Sequence, residues 1–156
     1  MATLSVRKFY NFDIELLNVS KYQKDELMWF KDILRNPNSD LYTGYDEDTK
    51  EVIGIGGFCG EMGIYLFSET FINNFRLYGK QFLKYSRKQI NDYNDKRKND
   101  RDQKQDDRDE RPLYAQVKVG FLEGQALVRR LGFKKMKGYV RHPWLGSYVQ
   151  FELGEE

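Results

Sequence analysis

The feature that most constrains the fold of this chain is a stripe of aromatic side chains near its middle. Five rings recur at steps of four, three, four and three residues: Phe71, Phe75, Tyr78, Phe82 and Tyr85. This spacing places all five on one face of an amphipathic helix, which we predict to continue to Ile90 or Tyr93. Because an apolar helix face must be covered, the rest of the chain has to supply a sheet or further helices that pack against it.

Short apolar segments on both sides of this helix predict strands. The first begins near Leu4 and includes Tyr10 and Phe12, and the others cover 41–45, 52–59, 62–67, 113–119, 133–141 and 147–153. Further helices are predicted after Ser20, which lies three residues before Gln23 in a capping-box pattern, and over 121–131, with Gly132 as a left-handed C-cap. Glycines 54, 56 and 57 inside one strand indicate a bulge or a close approach of two backbones. The order of elements indicates one mixed sheet with helices on its faces.

Composition excludes several classes of protein. The 156 residues, of which 40% are hydrophobic, fit one globular domain over 1–156, and 26 basic against 24 acidic residues give no argument for nucleic-acid binding. Cys59 is the only cysteine and His142 the only histidine, so we expect neither an internal disulfide nor a thiolate or paired-histidine metal site. No apolar run could span a bilayer and the first residues lack a secretory pattern, so we expect a cytoplasmic protein without membrane contact.

Residues 95–111 form a segment of almost pure charge. It holds seven basic and seven acidic side chains and no apolar one, and it is rich in aspartate, a poor helix former. One interpretation is a solvated linker or a frayed extension of the preceding helix. The other is a docking surface for a partner protein.

Three short motifs follow one another in a recognisable order. The segment 128–133 reads as a helix end followed by Gly-Phe, and the segment 76–81 (Arg-Leu-Tyr-Gly-Lys-Gln) opens the long helix after an apolar strand. Together with the order of elements, these motifs resemble the GNAT N-acetyltransferases. The glycine-rich segment 55–60 and the Arg-Leu-x-Gly-Lys motif are also similar to small GNAT-like proteins of short-tailed bacteriophages. The resemblance covers roughly 45–93 and 113–140.

The resemblance implies a mixed α/β fold of the α+β type and a coenzyme. We expect a mostly antiparallel central sheet of six to seven strands with three to four helices on its faces. Acetyl-CoA would place its pyrophosphate at the start of the long helix, against Arg76, Leu77, Tyr78, Gly79, Lys80 and Gln81. Its pantetheine arm would lie along the fourth strand, at Leu66, Phe67 and Ser68. Gln81 stands where the family motif ends in a small residue.

Catalysis in this family needs a base for the attacking amine and an acid for the leaving thiolate. Val128 occupies the position of the family's usual acid, a tyrosine. By resemblance, Glu61 or Glu69 could serve as the base and Tyr139 could approach from the sixth strand, although solvated carboxylates at strand ends and a packed tyrosine are the favoured explanations. A buried thiol and a turn histidine are favoured over a reactive pair of Cys59 with His142.

Two functions follow from these observations. The first is a phage-encoded, acetyl-CoA-dependent N-acetyltransferase with an unknown acceptor. The alternative is a phage protein that keeps the GNAT fold without catalysis and binds a phage structural or host protein, either in virion assembly or inside the virion. In the first case we expect the protein in the host cytoplasm, and in the second it would also be associated with the virion.

Overall fold

A computed structural model of the chain describes residues 3–34, 36, 39–104, 112–143 and 145–153. The first half contains β1 (Leu4–Lys8), α1 (Asp13–Leu16), α2 (Lys24–Leu34), β2 (Asp40–Asp46), β3 (Val52–Cys59) and β4 (Met62–Phe67). The second half contains α3 (Glu69–Asn73), α4 (Phe75–Lys104), β5 (Tyr114–Lys118), α5 (Leu122–Arg130), β6 (Phe133–Lys135), β7 (Val140–His142) and β8 (Gly146–Leu153). The strand predicted over 133–141 is therefore two strands, and His142, which was expected in a turn, ends the second of them.

All the strands belong to one sheet, in the order β1-β2-β3-β4-β5-β8-β6, with β7 paired to another part of β8. Among the described strands every pairing is antiparallel except that of β4 with β5, which is parallel. This parallel pair is short, because only Met62 with Tyr114 and Gly63 with Ala115 are in register before the two strands diverge. The predicted mixed α/β fold with a mostly antiparallel sheet is confirmed, and the divergence creates a cleft in its centre.

The two faces of the sheet carry separate apolar layers. Helices α4 and α5 cover one face, where Phe71 and Tyr78 are buried and Phe75 and Phe82 pack against them. Helices α1 and α2 cover the other face with a smaller apolar cluster. The spacing predicts the stripe on one helix, but Phe71 lies on α3 and the other four rings lie on α4, because the helix is interrupted at Asn74. Four of the five rings pack in the core, while Tyr85 remains 41% exposed.

Helix α4 is longer than the stripe that predicts it. Tyr93 is its last side chain in the apolar core, where its ring stacks on Phe58 at a centroid distance of 4.8 Å. The backbone nevertheless stays helical to Lys104, so residues 95–104 of the charged segment extend α4. Residues 105–111 lie outside the described part of the chain.

Two glycines have backbone conformations that their positions require. Gly57 in β3 has a φ of +152°, and a Cβ atom there would overlap the carbonyl oxygen of Asp40, so the predicted close approach is confirmed. Gly132 has a φ of +103° and donates its N–H to the carbonyl of Arg129 at 3.0 Å, which confirms the predicted C-cap of α5.

The segment before α2 differs from its prediction. Tyr10 and Phe12 leave the first strand and are 61% and 67% exposed, because the buried carboxylate of Asp13 turns the chain back. Asp13 accepts two hydrogen bonds from the Arg7 guanidinium, at 2.6 and 2.8 Å, and one from the Thr43 hydroxyl at 2.7 Å. A membrane-spanning segment would need a longer apolar stretch than any helix offers in the part of the chain that the structure describes.

Candidate functional site

The cleft between β4 and β5 is the candidate site. It opens where the two strands lose register after Gly63 and Ala115, and α2 and α5 line it from the two faces of the sheet. Strands that diverge leave N–H and C=O groups that need other partners. The open volume is only about 30 Å³, which is room for one or two water molecules on the usual scale of protein cavities.

The side chain of Gln23 fills the cleft along the edge of β4. Its Nε2 donates to the carbonyl of Tyr65 at 2.7 Å, and its Oε1 accepts from the N–H of Phe67 at 2.9 Å. The N–H of Ser20 donates to the carbonyl of Phe67 at 2.7 Å. The carboxamide therefore pairs with β4 as a neighbouring strand would, and the capping box expected from Ser20 and Gln23 does not form.

Two hydroxyl groups beside this edge are buried without a hydrogen-bond partner among the described residues. They are those of Tyr65, one of the residues that line the cleft, and of Ser20, whose N–H bonds to Phe67. An unpaired buried hydroxyl costs about 1–3 kcal/mol. These two hydroxyls are therefore hydrogen-bonding capacity that the described residues do not use.

A cluster of two buried and two half-buried polar side chains lies beside the cleft, between α2 and strands β5, β7 and β8. The Tyr148 hydroxyl donates to Oε1 of Glu26 at 3.1 Å, and both residues are buried. The His142 ring meets Tyr148 edge-on at a centroid distance of 4.9 Å. Its Nε2 lies 2.8 Å from Oε1 of Gln116, which lines the cleft. Glu26, Tyr148, His142 and Gln116 are named the polar cluster below.

The surroundings of Glu26 bring its pKa close to neutral pH. Burial raises the pKa of Glu26 to about 7, against the opposing effects of the Tyr148 and Gln23 hydrogen bonds and the Lys118 charge. Burial, followed by the neighbouring Glu26 carboxylate, also raises the pKa of Tyr148, so that the phenol stays protonated and donates. A carboxyl group with a pKa near the working pH is suited to general base catalysis.

The backbone groups expected to bind pantetheine already have partners. Leu66 pairs with Ile55 across β3, and the N–H and C=O of Phe67 are bonded to the 20–23 segment. Ser68 donates its N–H to the carbonyl of Ile53 at 2.9 Å, and its side chain caps α3. The coenzyme contacts assigned to these residues stay a prediction.

The segment 76–81 opens α4, as expected, but α3 separates it from β4. Gly79 is buried inside the helix, where a Cβ atom would come within 2.8 Å of the Phe75 ring. Arg76, Leu77 and Lys80 are exposed. Gly79 therefore leaves space for the Phe75 ring. The exposed side chains of Arg76 and Lys80 are the positive charges of this segment that an anion could reach.

The remaining two residues of this segment are engaged elsewhere in the fold. The Tyr78 hydroxyl donates to the buried carboxylate of Asp46 at 2.8 Å. The side-chain oxygen of Gln81 accepts from the N–H of Leu4 at 2.7 Å, which ties α4 to β1. Gln81 therefore has a structural partner that explains its identity without a coenzyme.

The three residues considered for catalysis lie at three separate places. The carbonyl of Glu61 accepts from the N–H of Tyr114 at 2.9 Å, at the closed end of the cleft. Glu69 begins α3 and accepts from the N–H of Lys21 at 2.5 Å, near the open end. Tyr139 is 67% exposed between β6 and β7. Their catalytic roles stay predictions.

Other residues singled out in the sequence have simple surroundings. Val128 is buried in α5 and lines the cleft, where it supplies no proton. Cys59 is half-buried on β3, and burial raises the pKa of its thiol. His142 contacts Tyr148 and Trp29 rather than this thiol. No group of three or more metal-ligating side chains occurs within the described ranges.

Sequence reasoning missed Gln23, Glu26, Tyr148 and Gln116 as site residues. One signal was available for Glu26, because it lies four residues before Phe30 and so shares the apolar face of α2. A carboxylate on the buried face of a helix is a functional candidate in its own right. Tyr148 gave no such signal, because aromatic residues are common in strands.

No family profile and no curated protein matches this chain. Among solved structures it resembles a chimera of the spermidine N-acetyltransferase SpeG from Vibrio cholerae and hSSAT, with a TM-score of 0.56 and 11% identity over 96% of this chain and 94% of that one. It also resembles a GNAT-family acetyltransferase from Bacillus anthracis (TM-score 0.54, 13% identity, 97% and 93% covered). A third similar structure is apo YjaB from Escherichia coli (TM-score 0.51, 12% identity, 96% and 95% covered). The chain therefore has the fold of the GNAT acetyltransferases.

Proposed function

We propose that the protein transfers an acyl group from a coenzyme A thioester to an amine in the cleft between β4 and β5. The observation that carries this proposal is the edge of β4, where a primary amide already forms two hydrogen bonds with the backbone of Tyr65 and Phe67. Pantetheine contains amides of the same hydrogen-bonding capacity. Gln23 is thus an internal stand-in for the arm of the coenzyme, and the donor set of the site fits that arm once Gln23 moves away.

The residues that would hold the coenzyme follow from this geometry. Phe67, with Leu66 and Ser68 on the same strand end, would bind the pantetheine arm, and Arg76 and Lys80 at the start of α4 would meet its phosphates. When bound, the thioester supplies an acyl group that an amine can attack. All other parts of the reaction fall to the side chains of the protein.

The polar cluster supplies the proton chemistry. Glu26 would take the proton of the attacking amine, since it is unprotonated in a large fraction of molecules above a pH of about 7. As the C–N bond forms and the C–S bond of the thioester breaks, the proton held by Glu26 would neutralise the released thiolate. Tyr148 holds that carboxylate in place through its hydroxyl. Glu26 has a stronger case than Glu61 or Glu69, because its carboxylate combines burial, a shifted pKa and a place on the wall of the cleft.

The test is calorimetric titration of acetyl-CoA into the wild type and into Gln23→Ala. Removal of the stand-in frees the β4 edge, so we expect about tenfold tighter binding, the equivalent of one net hydrogen bond to the backbone. Gln89→Ala is the matched control, because its carboxamide also donates to a strand carbonyl, that of Asp40 at 3.2 Å, but outside the cleft. An absence of heat from both the wild type and Gln23→Ala at high micromolar acetyl-CoA would contradict the proposal.

A second candidate function is binding without catalysis, as a phage protein in virion assembly or inside the virion. The closed cleft and the buried Val128 favour it, and so does the charged helical extension of α4 over 95–104. The phage origin rests on the resemblance of segments 55–60 and 76–80. Deletion of residues 96–110 tests it: assembly or partner binding that survives the deletion unchanged would rule out this segment as the docking surface.

A further inference from the structure

A second and larger cavity lies on the face of the sheet that α4 covers. It encloses about 440 Å³ between α4 and strands β1 to β3. Cavities of roughly 300–1,000 Å³ with apolar walls are typical binding sites for small molecules. Nothing in the acyl transfer proposed above uses this space, which opens above β1–β3 rather than between β4 and β5.

The cavity exists because glycines form its floor. Gly44 and Gly54 are paired across β2 and β3. Gly56 is paired with Tyr42 two residues further along the same two strands. Three side chains are therefore missing from a patch of sheet that a helix spans. The Tyr65 ring packs so close to Gly56 that a Cβ atom there would come within 2.9 Å of it. A larger residue at this position of the cavity floor is therefore disfavoured.

The walls of the cavity are apolar, and apolar side chains are also exposed around its mouth. Ile53, Phe71 and Phe82 line the interior. Around the opening, Val6, Tyr42 and Tyr85 are 36%, 39% and 41% exposed, although all three are large hydrophobic residues. An exposed apolar rim on three separate elements is typical of a surface that a ligand covers.

Two lysines stand at this mouth on opposite elements, Lys8 on β1 and Lys88 on α4. Neither forms an ion pair with any residue in the part of the chain that the structure describes. Asp92 also lies at the opening, so the net charge there is positive. Arg7 lines the cavity as well, but its guanidinium is bound to Asp13. The free charge at the mouth thus complements an anionic group.

We propose that this cavity binds a small amphipathic anion, with an alkyl chain against the aromatic walls and a carboxylate between Lys8 and Lys88. Burial of the chain provides the affinity, at about 0.8 kcal/mol per buried methylene, and the lysines select the charge of the head group. Ser86, which is buried on α4, also lines the cavity.

The test uses sodium decanoate as the probe, titrated calorimetrically into the wild-type chain, with decanol and decyltrimethylammonium as neutral and cationic comparisons. We expect saturable binding of decanoate at one site. In the double variant Lys8→Glu/Lys88→Glu, decanoate should bind about tenfold more weakly, while decanol binding stays within about twofold, because exposed charges contribute modestly and only to the ion. Lys84→Glu, an exposed lysine of α4 outside the cavity, is the control and should change neither.

A filling variant locates the site independently. Ser86→Phe places a ring in the cavity and should abolish binding of both decanoate and decanol. If that variant fails to fold, the lysine variants still decide the matter, because their side chains are exposed. The proposal is overturned if decanoate shows no saturable binding, if decyltrimethylammonium binds more tightly than decanoate, or if the lysine pair can be reversed without effect.

Discussion

At the scale of single residues, the molecule is defined by polar groups that it buries. Asp13 is compensated by four hydrogen bonds, from Arg7 twice, from Thr43 and from the N–H of Tyr10. Glu26 is compensated far less, because its hydrogen bond from Tyr148 does not offset the loss of solvent. Asp13, whose pKa is lowered, stays charged and has a structural role. Glu26, whose pKa is raised to about 7, is a functional candidate.

Glu26 should make the stability of the protein fall as the pH rises. Its pKa is about 7 when folded and near 4.5 when unfolded, so between these values the folded state binds the additional proton. The free energy of unfolding should therefore decrease from pH 4.5 to pH 7, by up to about 3 kcal/mol from this group. In Glu26→Gln that decrease should be absent, and the variant should be more stable than the wild type at pH 8.

Urea unfolding at pH 5 and pH 8 measures this difference. Asp25→Asn is the control, since Asp25 is the neighbouring carboxylate on α2 and its side chain is 75% exposed. The assignment is wrong if Glu26→Gln and the wild type lose the same stability between the two pH values.

At the scale of elements, α4 is the helix that organises the fold. Its 30 residues cover about 45 Å at the usual rise per residue, more than any strand beneath it. Its first turns are fixed by packing and by hydrogen bonds from Tyr78 to Asp46 and from Leu4 to Gln81. The segment that resembles a phosphate-binding loop is therefore held as a rigid helix start.

Gly79→Ala should destabilise the protein, although this exchange in a helix usually gains about 0.5–1 kcal/mol. The new methyl group would crowd the Phe75 ring, and overpacking of this kind costs about 1–3 kcal/mol. In a Phe75→Ala background the crowding disappears, and Gly79→Ala should then stabilise. Chemical denaturation of the four proteins in this cycle measures the sign of both effects; a gain in both backgrounds would show that Gly79 is not needed for packing.

At the scale of the whole molecule, the sheet consists of two parts that are joined by the short parallel pairing of β4 with β5. Only two residue pairs connect β4 with β5, so side chains must hold the two parts together beyond them. Phe121 is the main one: its ring stacks on Tyr22 at a centroid distance of 5.0 Å and meets Phe67 edge-on at 6.5 Å. Gly124 on the next turn leaves room for this ring, since a Cβ atom there would come within 2.6 Å of it.

Phe121→Ala should therefore destabilise both parts of the sheet together, by about 3–5 kcal/mol for a fully buried ring. Leu122→Ala is the matched control, because Leu122 follows it directly and is 69% exposed, and its cost should stay within about 0.5 kcal/mol. Thermal unfolding followed by circular dichroism measures both. Equal costs for the two variants would show that Phe121 does not join the parts of the sheet.

Features that depend on neighbouring residues could be predicted from the sequence. Helical periodicity placed most of the aromatic stripe in the core, although the stripe is divided between α3 and α4, and glycine stereochemistry predicted the close approach at Gly57 and the cap at Gly132. The order of elements was enough to predict one mixed sheet with helices on its faces, whereas its mostly antiparallel pairing was expected from the resemblance to the GNAT family. These predictions succeeded because side-chain spacing and backbone conformation are local properties.

The contacts that close the cleft depend on the folding of distant segments against each other. Gln23 reaches the edge of β4 across more than forty residues of sequence, and Glu26 meets Tyr148 across 122. A local pattern made Gln23 a capping residue, but the unpaired backbone of two diverging strands offered its carboxamide better partners. The burial that raises the pKa of Glu26 likewise comes from strands distant in the chain, and no spacing along the sequence encodes it.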